Sequence, residues 1–480
     1  MSEHLDVLII GAGISGIGAA YHLQTRCPNK TYAVLEGRPQ LGGTWDLFRY
    51  PGIRSDSDMH TMGFSFKPWT GEKALADGAS ILAYLQETVA ENRIDERIRY
   101  GHEVVAANWS SEDKLWSVEV SALGESKHFT CNFIFSCTGY YDYEKGYTPK
   151  FEGSDDFEGE ILHPQKWPKD FDYAGKRVVV IGSGATAVTL VPAMADKAAH
   201  VTMLQRTPTY VVSVPGEDGV ATALKKRLPP KTAYRLTRWK NIALGLGFFT
   251  FARKAPGPMR ALVNKGVRAQ LGEDYDVSPH FDPPYNPWEQ RMCMVPDGDF
   301  FAALKQEKAS ITTGHIDRFT KTGIRLKNGE EIEADIIVTA TGLVLEFMSK
   351  IDVRVDGKRV DPSDHWTYKA MMFNDVPNLA LWFGYTNASW TLKADLTSEY
   401  ICRLINHMDA TGYGSVVPRA NPAEMKSRPF IDFSSGYFQR SQHLLPKQGD
   451  AFPWRLFQNY VLDSLSIRYS KLKDGVLEFR

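Results

Sequence analysis

The chain has 480 residues, 43% of them hydrophobic, and a formal charge of −1 from 56 basic and 57 acidic side chains. This length exceeds one ordinary hydrophobic core, so two or three domains are expected, and the balanced charge argues against a nucleic-acid partner. The five cysteines are odd in number and form no C-x-x-C pair, which argues against a disulfide framework, a dithiol reductase or a zinc site, and no metal is predicted.

The first residues contain neither the basic region nor the apolar region of an export signal. No uninterrupted apolar run approaches the roughly 18 residues of a membrane-spanning helix. A cytoplasmic protein is therefore expected.

The first predicted unit is a strand, a glycine-rich loop and a helix. An apolar run at residues 6–10 leads into Gly11, Gly13 and Gly16, and an alanine-rich helical pattern follows. These glycines permit a tight turn, a close approach of pyrophosphate and close helix packing. A second apolar strand ends in Glu36, 25 positions after Gly11, where an acid typically binds a ribose diol. The unit predicts a dinucleotide site.

Residues 42–56 form the next distinct stretch, Gly-Gly-Thr-Trp-Asp-Leu-Phe-Arg-Tyr-Pro-Gly-Ile-Arg-Ser-Asp. From the residues alone, Trp45 is interpreted as a core residue and Asp56 as a helix N-cap. Residues 98–135 then alternate like strands of a meander and end in a Cys-Thr-Gly turn.

Residues 157–168 read Phe-Glu-Gly-Glu-Ile-Leu-His-Pro-Gln-Lys-Trp-Pro and match F-x-G-x-x-x-H-x-x-x-W-P at all six fixed positions. This pattern resembles the fingerprint of type I Baeyer–Villiger monooxygenases. Residues 42–56 match a second pattern of that family, and residues 384–395 and 446–456 are most similar to its ethionamide-activating branch. Glycine and proline within the fingerprint favour an ordered linker between two domains, and His163 is not expected to be the chemical base.

A second strand, loop and helix begins at residue 177, with Gly182 and Gly184 in the loop and alanine in place of the third glycine. Its second strand ends in Arg206, 24 positions after Gly182, where the first copy has Glu36. An acid repels a 2′-phosphate and an arginine binds it, so the first copy is interpreted as the FAD site and the second as the NADPH site. Many family members have a lysine where this chain has Gln290, so a looser preference for NADPH is expected.

Residues 219–272 contain twelve basic residues, no acidic residue and a helical periodicity. One interpretation is the helical insertion of Baeyer–Villiger enzymes, with its basic face in solvent. The other is a basic amphipathic surface that associates weakly with anionic lipid.

The remaining segments complete a repeated plan. A hairpin is predicted at residues 325–332, a buried strand and Thr-Gly turn at 335–342, a strand at 378–385 and a helix at 394–408 that returns to the first domain. An irregular proline-rich segment at 283–296 carries Arg291, which the family resemblance alone implies to be catalytic. The resemblance also implies that Asp56 orients Arg291.

The resemblance implies an α/β fold with two Rossmann-like dinucleotide-binding domains, the FAD domain being interrupted by an NADPH domain that carries a helical insertion. The predicted division is FAD domain 1–150, linker and NADPH domain 151–215, insertion 216–289, NADPH domain 290–344 and FAD domain 345–480. The predicted cofactor-binding residues are Gly11, Gly13, Ser15, Gly16, Glu36, Thr44, Trp45, Asp46, Leu47, Arg54, Ser55, Asp56, Val104, Gly182, Ser183, Gly184, Ala185, Thr186, Ala187, Val188, Arg206 and Thr207.

The implied reaction uses NADPH, FAD and O2 to convert ketones to esters or lactones, by way of oxygen activated at the flavin C4a atom. Sulfides and thioamides are further expected substrates. The alternatives are a flavin monooxygenase restricted to sulfur or nitrogen and a non-catalytic flavin-binding scaffold. A pyridine-nucleotide disulfide reductase is opposed by the missing C-x-x-C pair, and the sequence does not determine the oligomeric state.

Overall fold

The computed structural model describes residues 2–480 and contains two β-sheets flanked by helices. In chain order the helices are α1 (Ile14–Arg26), α2 (Thr44–Leu47), α3 (Met59–Met62), α4 (Gly78–Glu91), α5 (Ala185–Ala195), α6 (Gly219–Lys225), α7 (Pro230–Lys254), α8 (Pro256–Leu271), α9 (Asp299–Lys305), α10 (Trp390–Thr411), α11 (Gly436–Ser441) and α12 (Tyr460–Arg468).

The first sheet has nine strands. Their order is Lys358–Arg359, Asp352–Val355, His102–Ser110, Leu115–Ala122, Glu125–Ser136, Glu3–Ile10, Tyr32–Glu36 and Ile98–Tyr100, and Leu379–Leu381 pairs with the end of Glu125–Ser136. The strand Glu3–Ile10 pairs in parallel with both of its neighbours. The predicted meander forms the antiparallel part of this sheet.

The second sheet has five strands, all parallel. Their order is Ala309–Thr313, His200–Gln205, Arg177–Ile181, Ile336–Thr339 and Glu160–Leu162. Each sheet places a glycine-rich loop after a central strand and a helix, α1 or α5, after the loop. The predicted α/β fold with two dinucleotide-binding sheets is confirmed.

Shorter sheets complete the molecule, and one of them ties its two halves together. Tyr141–Gly146 pairs with Leu343–Leu345, so the segments that follow the two Thr-Gly turns meet as antiparallel strands. The other small sheets are Val211–Val214 with Cys293–Pro296; Ile316–Thr320, Gly323–Leu326 and Glu331–Glu333; Thr367–Tyr368 with Met372–Phe373; Val416–Pro418 with Leu477–Phe479; and Arg428–Pro429 with Lys447–Gln448.

The apolar strands are buried on both faces, because helices cover one face of each sheet and other strands and loops cover the opposite face. Val7, Ile9 and Phe135 lie in one core beneath the first sheet, whereas Val178 and Val338 lie in a separate core in the second. Separate cores for the two sheets fit a chain of this length.

Three predicted elements differ from the structure. The fingerprint is more than a linker, because its residues Glu160–Leu162 form the edge strand of the second sheet. The strand predicted at 378–385 covers only Leu379–Leu381, since its partner strand ends at Ser136. The helix predicted at 394–408 is longer and spans Trp390–Thr411.

The basic segment 219–272 is helical, as predicted, but its charges do not form one solvated face. Arg238 is only 6% exposed, and Lys240 pairs with Asp218 at 2.6 Å. Arg260 donates to the carbonyl oxygens of Pro283 and Tyr285. Several charges of the segment therefore attach it to other parts of the protein. Among residues 2–480, none of the helices combines the length and the apolarity needed to cross a membrane.

Candidate active site

A cavity of about 800 Å³ runs between the two glycine-rich loops. Fifteen predicted site residues line it, namely Gly11, Gly13, Ser15, Glu36, Thr44, Trp45, Leu47, Arg54, Ser55, Asp56, Val104, Ala185, Thr186, Val188 and Arg291. The other predicted residues support the wall or lie beyond it: Gly16, Asp46, Gly182, Ser183, Gly184, Ala187, Arg206 and Thr207.

The two helix N-termini are suited to phosphate groups. The N-cap residues of α1 and α5 are Gly13 and Gly184, and neither has a side chain that caps the helix. The N–H groups of each first turn lack intrahelical partners and are available to an anion. Gly16 lets α1 approach the loop, because a Cβ atom there would lie 1.8 Å from the carbonyl oxygen of Gly11. The residues present thus fit two dinucleotides.

Glu36 lies at the carboxyl end of its strand and faces the first loop. Its carboxylate accepts hydrogen bonds from the backbone N–H groups of Ala12, at 2.7 Å, and Arg38, at 3.0 Å. Burial raises the pKa of Glu36, although these two hydrogen bonds act against the shift. Each carboxylate oxygen has a further lone pair, so Glu36 can also accept a ribose hydroxyl.

Two predicted cofactor-binding residues have other partners in the structure. Asp46 does not line the cavity; it is buried and pairs with Arg38 and with Arg49, the latter at 3.1 Å. Arg54 does line the cavity, but its guanidinium pairs with Asp299 at the start of α9. Asp46 therefore stabilises the turn after the first loop, and Arg54 connects that turn to the second half of the protein.

Arg206 lies immediately after the strand His200–Gln205 and is exposed. Within residues 2–480 no carboxylate lies within ion-pairing distance of it. The adjacent residue, Thr207, accepts a hydrogen bond from the hydroxyl of Ser183 in the second loop, at 2.9 Å. The end of this strand and the second loop are thus joined, with a free cation beside them.

Arg291 and Asp56 meet at the inner end of the cavity. The Nη2 and Nε atoms of Arg291 lie 2.8 Å from the two carboxylate oxygens of Asp56. Burial acts to lower the pKa of Arg291, but the Asp56 carboxylate, together with Tyr437, Tyr140 and Cys293, outweighs burial and raises the pKa above its usual value. The guanidinium therefore remains charged.

The segment that carries Asp56 is fixed on both sides. The N–H of Ser55 donates to the carbonyl of Ala76, at 2.9 Å, and the Ser55 hydroxyl donates to the carbonyl of Ser57, at 2.7 Å. Asp58, and not Asp56, is the N-cap of α3. The carboxylate of Asp56 is therefore available for Arg291.

A second cavity of about 670 Å³ adjoins the first at this pair. Both cavities are lined by Asp56, Ser57, Arg291, Met294 and Ala388. The second cavity is otherwise mainly apolar, with walls that include Ile242, Leu244, Leu246, Phe248, Trp288 and Leu392. The sequence analysis missed these residues, although four of them, Ile242, Leu244, Leu246 and Phe248, lie in an apolar run at residues 242–252 of the basic segment.

His163 of the fingerprint lines the first cavity in a structural role. Its Nδ1 atom accepts from the N–H of Gln165, so its Nε2 atom donates to the carbonyl of Gly342; both distances are 3.2 Å. Burial lowers the pKa of His163, which favours the neutral ring. The imidazole thus fixes the Thr-Gly turn of the second sheet.

Comparison with known proteins gives two kinds of match. Residues 8–238 match a family model described as pyridine nucleotide-disulphide oxidoreductase. The FAD-containing monooxygenase EthA of Mycobacterium tuberculosis is 53% identical over 480 residues, which cover all of this chain and 98% of the relative.

The fold is also similar to solved structures. A steroid monooxygenase bound to NADP superposes with a TM-score of 0.78 at 22% identity, covering 99% of each chain. Cyclohexanone monooxygenase bound to epsilon-caprolactone superposes with a TM-score of 0.75 at 21% identity, covering 100% of each chain. At these identities the likeness concerns the fold alone.

Proposed function

The chain belongs to the family of FAD-containing monooxygenases, and we propose that it is a Baeyer–Villiger monooxygenase that converts ketones to esters or lactones. The flavoprotein monooxygenase class and the FAD cofactor predicted from the sequence are confirmed by this membership. In the proposed reaction NADPH supplies two electrons, one atom of O2 enters the product and the other leaves as water.

The observation that carries this proposal is the position of the Arg291–Asp56 pair. It lies where the cavity between the nucleotide loops meets the apolar cavity. A substrate in the apolar cavity would therefore have its carbonyl group beside a fixed cation. An enzyme that only reduces a flavin has no evident need for such a cation at this junction.

When bound, FAD would accept a hydride from NADPH and activate O2 for transfer to the substrate. Arg291 would stabilise the negative charge that develops on the attacked carbonyl oxygen, as a preorganised donor does in other oxyanion sites. Asp56 would orient the guanidinium through the hydrogen bond that it accepts from Nη2 and the ion-pair contact at Nε.

The second loop is proposed to bind NADPH. Arg206 supports this because it is an exposed cation next to Ser183 and Thr207, where a 2′-phosphate would lie. Gln290 offers no charge in place of the lysine of related enzymes. The preference for NADPH over NADH is therefore proposed to depend mainly on Arg206.

The apolar wall of the second cavity supports an apolar substrate, because a buried polar group without a partner would lose free energy there. Thioethers and thioamides are proposed as further substrates, since their sulfur accepts oxygen without a tetrahedral oxyanion. Such substrates would depend less on Arg291 than ketones do.

The proposal is tested with purified protein, FAD, NADPH and 18O2 on a panel of linear, cyclic and aryl ketones and thioethers. Mass spectrometry should find one 18O atom in an ester or lactone. Sulfoxides without any ester would favour the monooxygenase restricted to sulfur or nitrogen. A flavin that NADPH does not bleach in the absence of air would favour the non-catalytic scaffold.

We propose in addition that the protein is cytoplasmic and that it associates weakly with anionic membranes through α6 and α7. Five apolar side chains are exposed there, namely Val220, Leu236, Trp239, Leu244 and Phe251, and exposed cations accompany them at Lys226, Arg227, Lys231 and Arg235. Val220 and Leu244 also line the apolar cavity, so lipid-dissolved substrates would enter it directly.

Co-sedimentation with vesicles tests this association. The protein should bind vesicles containing phosphatidylserine, and the bound fraction should fall with salt, since screening acts over about 10 Å at 0.1 M. Equal binding to neutral and anionic vesicles would contradict the electrostatic contribution. The variant Trp239→Ser should reduce binding, because an interfacial aromatic side chain is lost.

A further inference from the structure

The single-turn helix α3 begins three residues after Asp56. Its N-cap, Asp58, accepts hydrogen bonds from the N–H of Thr61, at 3.1 Å, and from the Thr61 hydroxyl, at 2.6 Å. A helix of four residues leaves its terminal carbonyl groups without intrahelical partners. Residues elsewhere must therefore stabilise α3, and with it the segment that carries Asp56.

Arg238 of α7 binds the C-terminal end of α3. Its Nη1 atom donates to the carbonyl oxygens of His60 and Thr61, each at 3.0 Å, and of Gly63, at 2.7 Å. Its Nη2 atom lies 3.6 Å from the carboxylate of Asp395. A buried guanidinium is costly unless it is paired and hydrogen-bonded, so these contacts hold α7 and α3 in one arrangement.

Asn241 binds the other end of α3. Its side-chain N–H donates to the Asp58 carboxylate, at 2.9 Å, and lies 3.3 Å from that of Asp218. Asn241 and Arg238 are three residues apart, which places them on one face of α7. One helix face thus contacts both ends of α3.

The same helix forms part of the wall of the apolar cavity. Ile242, Leu244, Leu246 and Phe248 follow within two turns of Asn241 and line that cavity. A molecule that fills the cavity therefore contacts the helix that holds α3. The Asp56 segment, in turn, orients Arg291.

We propose that Arg238 and Asn241 are positioning residues that link occupancy of the apolar cavity to the orientation of the Arg291–Asp56 pair. The effect on ester formation rests on the proposed function. The structural link between α7 and the Asp56 segment does not depend on it. The chain would then direct its activated oxygen to a ketone most efficiently when the cavity is filled and α7 is fixed.

The first test measures the structural link without turnover. Hydrogen exchange of the FAD-loaded protein should be about tenfold faster in the peptide covering residues 55–63 of Asn241→Ala, because a hydrogen bond to a charged group is lost. The matched control is Arg235→Ala, which removes an exposed cation on the same helix, one turn before Arg238 and about two turns before Asn241. It should exchange like the wild type. Unchanged exchange in Asn241→Ala would overturn the proposal.

The second test measures how much of the NADPH consumed leads to ester and how much to hydrogen peroxide. With saturating ketone, Asn241→Ala should keep the wild-type rate of anaerobic flavin reduction, while ester formed per NADPH falls about tenfold and hydrogen peroxide rises. Arg238→Lys should behave similarly, since one ammonium group does not reproduce the guanidinium contacts. Faster exchange with wild-type ester yield in Asn241→Ala would overturn the link to catalysis. A wild-type enzyme that forms no ester would refute the proposed function, while the exchange result would still decide the structural link.

Discussion

Arg291 and Asp56 are 235 residues apart in the chain, yet two hydrogen-bonding distances of 2.8 Å join the guanidinium to the carboxylate. This side-on arrangement fixes the plane of the guanidinium. The Asp56 carboxylate contacts Nε and one N–H of Nη2. The Nη1 atom has no hydrogen-bond partner in the described part of the chain. The remaining N–H groups are therefore available to an oxyanion in the cavity.

Arg291→Ala should separate flavin reduction from oxygen insertion. The variant should retain FAD and consume NADPH, because the nucleotide loops are unchanged. Ester formed per NADPH should fall by about two to three decades, since loss of an oxyanion donor costs about 3–4 kcal/mol. Product and hydrogen peroxide are measured together by gas chromatography and a peroxidase assay. Near wild-type ester yield would contradict the assignment of Arg291.

Asp56→Asn should cause a milder form of the same defect. The amide keeps the size of the carboxylate but loses its charge and one acceptor, so Arg291 is oriented less well. Ester formed per NADPH should lie between the values of the wild type and Arg291→Ala, with FAD content unchanged. The measurement is the amount of ester formed per NADPH consumed in the wild type, Asp56→Asn and Arg291→Ala. A ratio equal to that of the wild type would show that Asp56 is dispensable.

Arg206→Ala should weaken NADPH far more than NADH. The side chain is exposed and has no carboxylate partner within residues 2–480, so its removal disturbs little else. A charge-assisted contact contributes about 1.5–3 kcal/mol, which corresponds to about ten- to a hundredfold in apparent affinity. The KM values of the two coenzymes are compared in one enzyme, so NADH is the internal control. An equal loss of apparent affinity for NADPH and NADH would refute the assignment of Arg206 to the 2′-phosphate.

Lys369→Met should change the pH dependence of stability. The lysine side chain is 0% exposed, with Nζ 4.4 Å from the ring centre of Tyr400 and 3.8 Å from the Asp474 carboxylate. Burial lowers the pKa of Lys369 to about 8, more than Asp474 restores.

Because this pKa is lower in the folded than in the unfolded protein, the unfolded state holds more protons between about pH 8 and pH 10, and the destabilisation caused by burying the charged Lys369 is relieved as pH rises. The wild type should gain about 2 kcal/mol relative to Lys369→Met between about pH 8 and pH 10. Thermal unfolding of both proteins across this range measures the difference. If stability changed with pH equally in the wild type and in Lys369→Met, Lys369 would not be the source of the pH dependence.

The sequence by itself determined the fold class, the two nucleotide loops and the family. These features depend on local patterns. The strands Tyr32–Glu36 and Arg177–Ile181 occur at the predicted positions because an apolar run bounded by a charged residue and a glycine turn specifies a buried strand. Gly16 is required by a contact within its own loop and helix, because a Cβ atom there would meet the carbonyl oxygen of Gly11, whereas Gly11 and Gly182 lie against the turns at Cys137 and Ala340.

Only the tertiary structure decided which distant residues meet. Neither the burial of Arg238 nor the pairing of Asp46 with Arg38 and Arg49 could be derived from charge pattern, because a basic residue in a helix has the same local signature in solvent and against another domain. The apolar cavity likewise depends on contacts between residues that are distant in the sequence. Ile242 and Phe248 lie in a helical insertion, and their apolar run becomes a cavity wall only when α7 packs against α3 and brings Asp56 to Arg291.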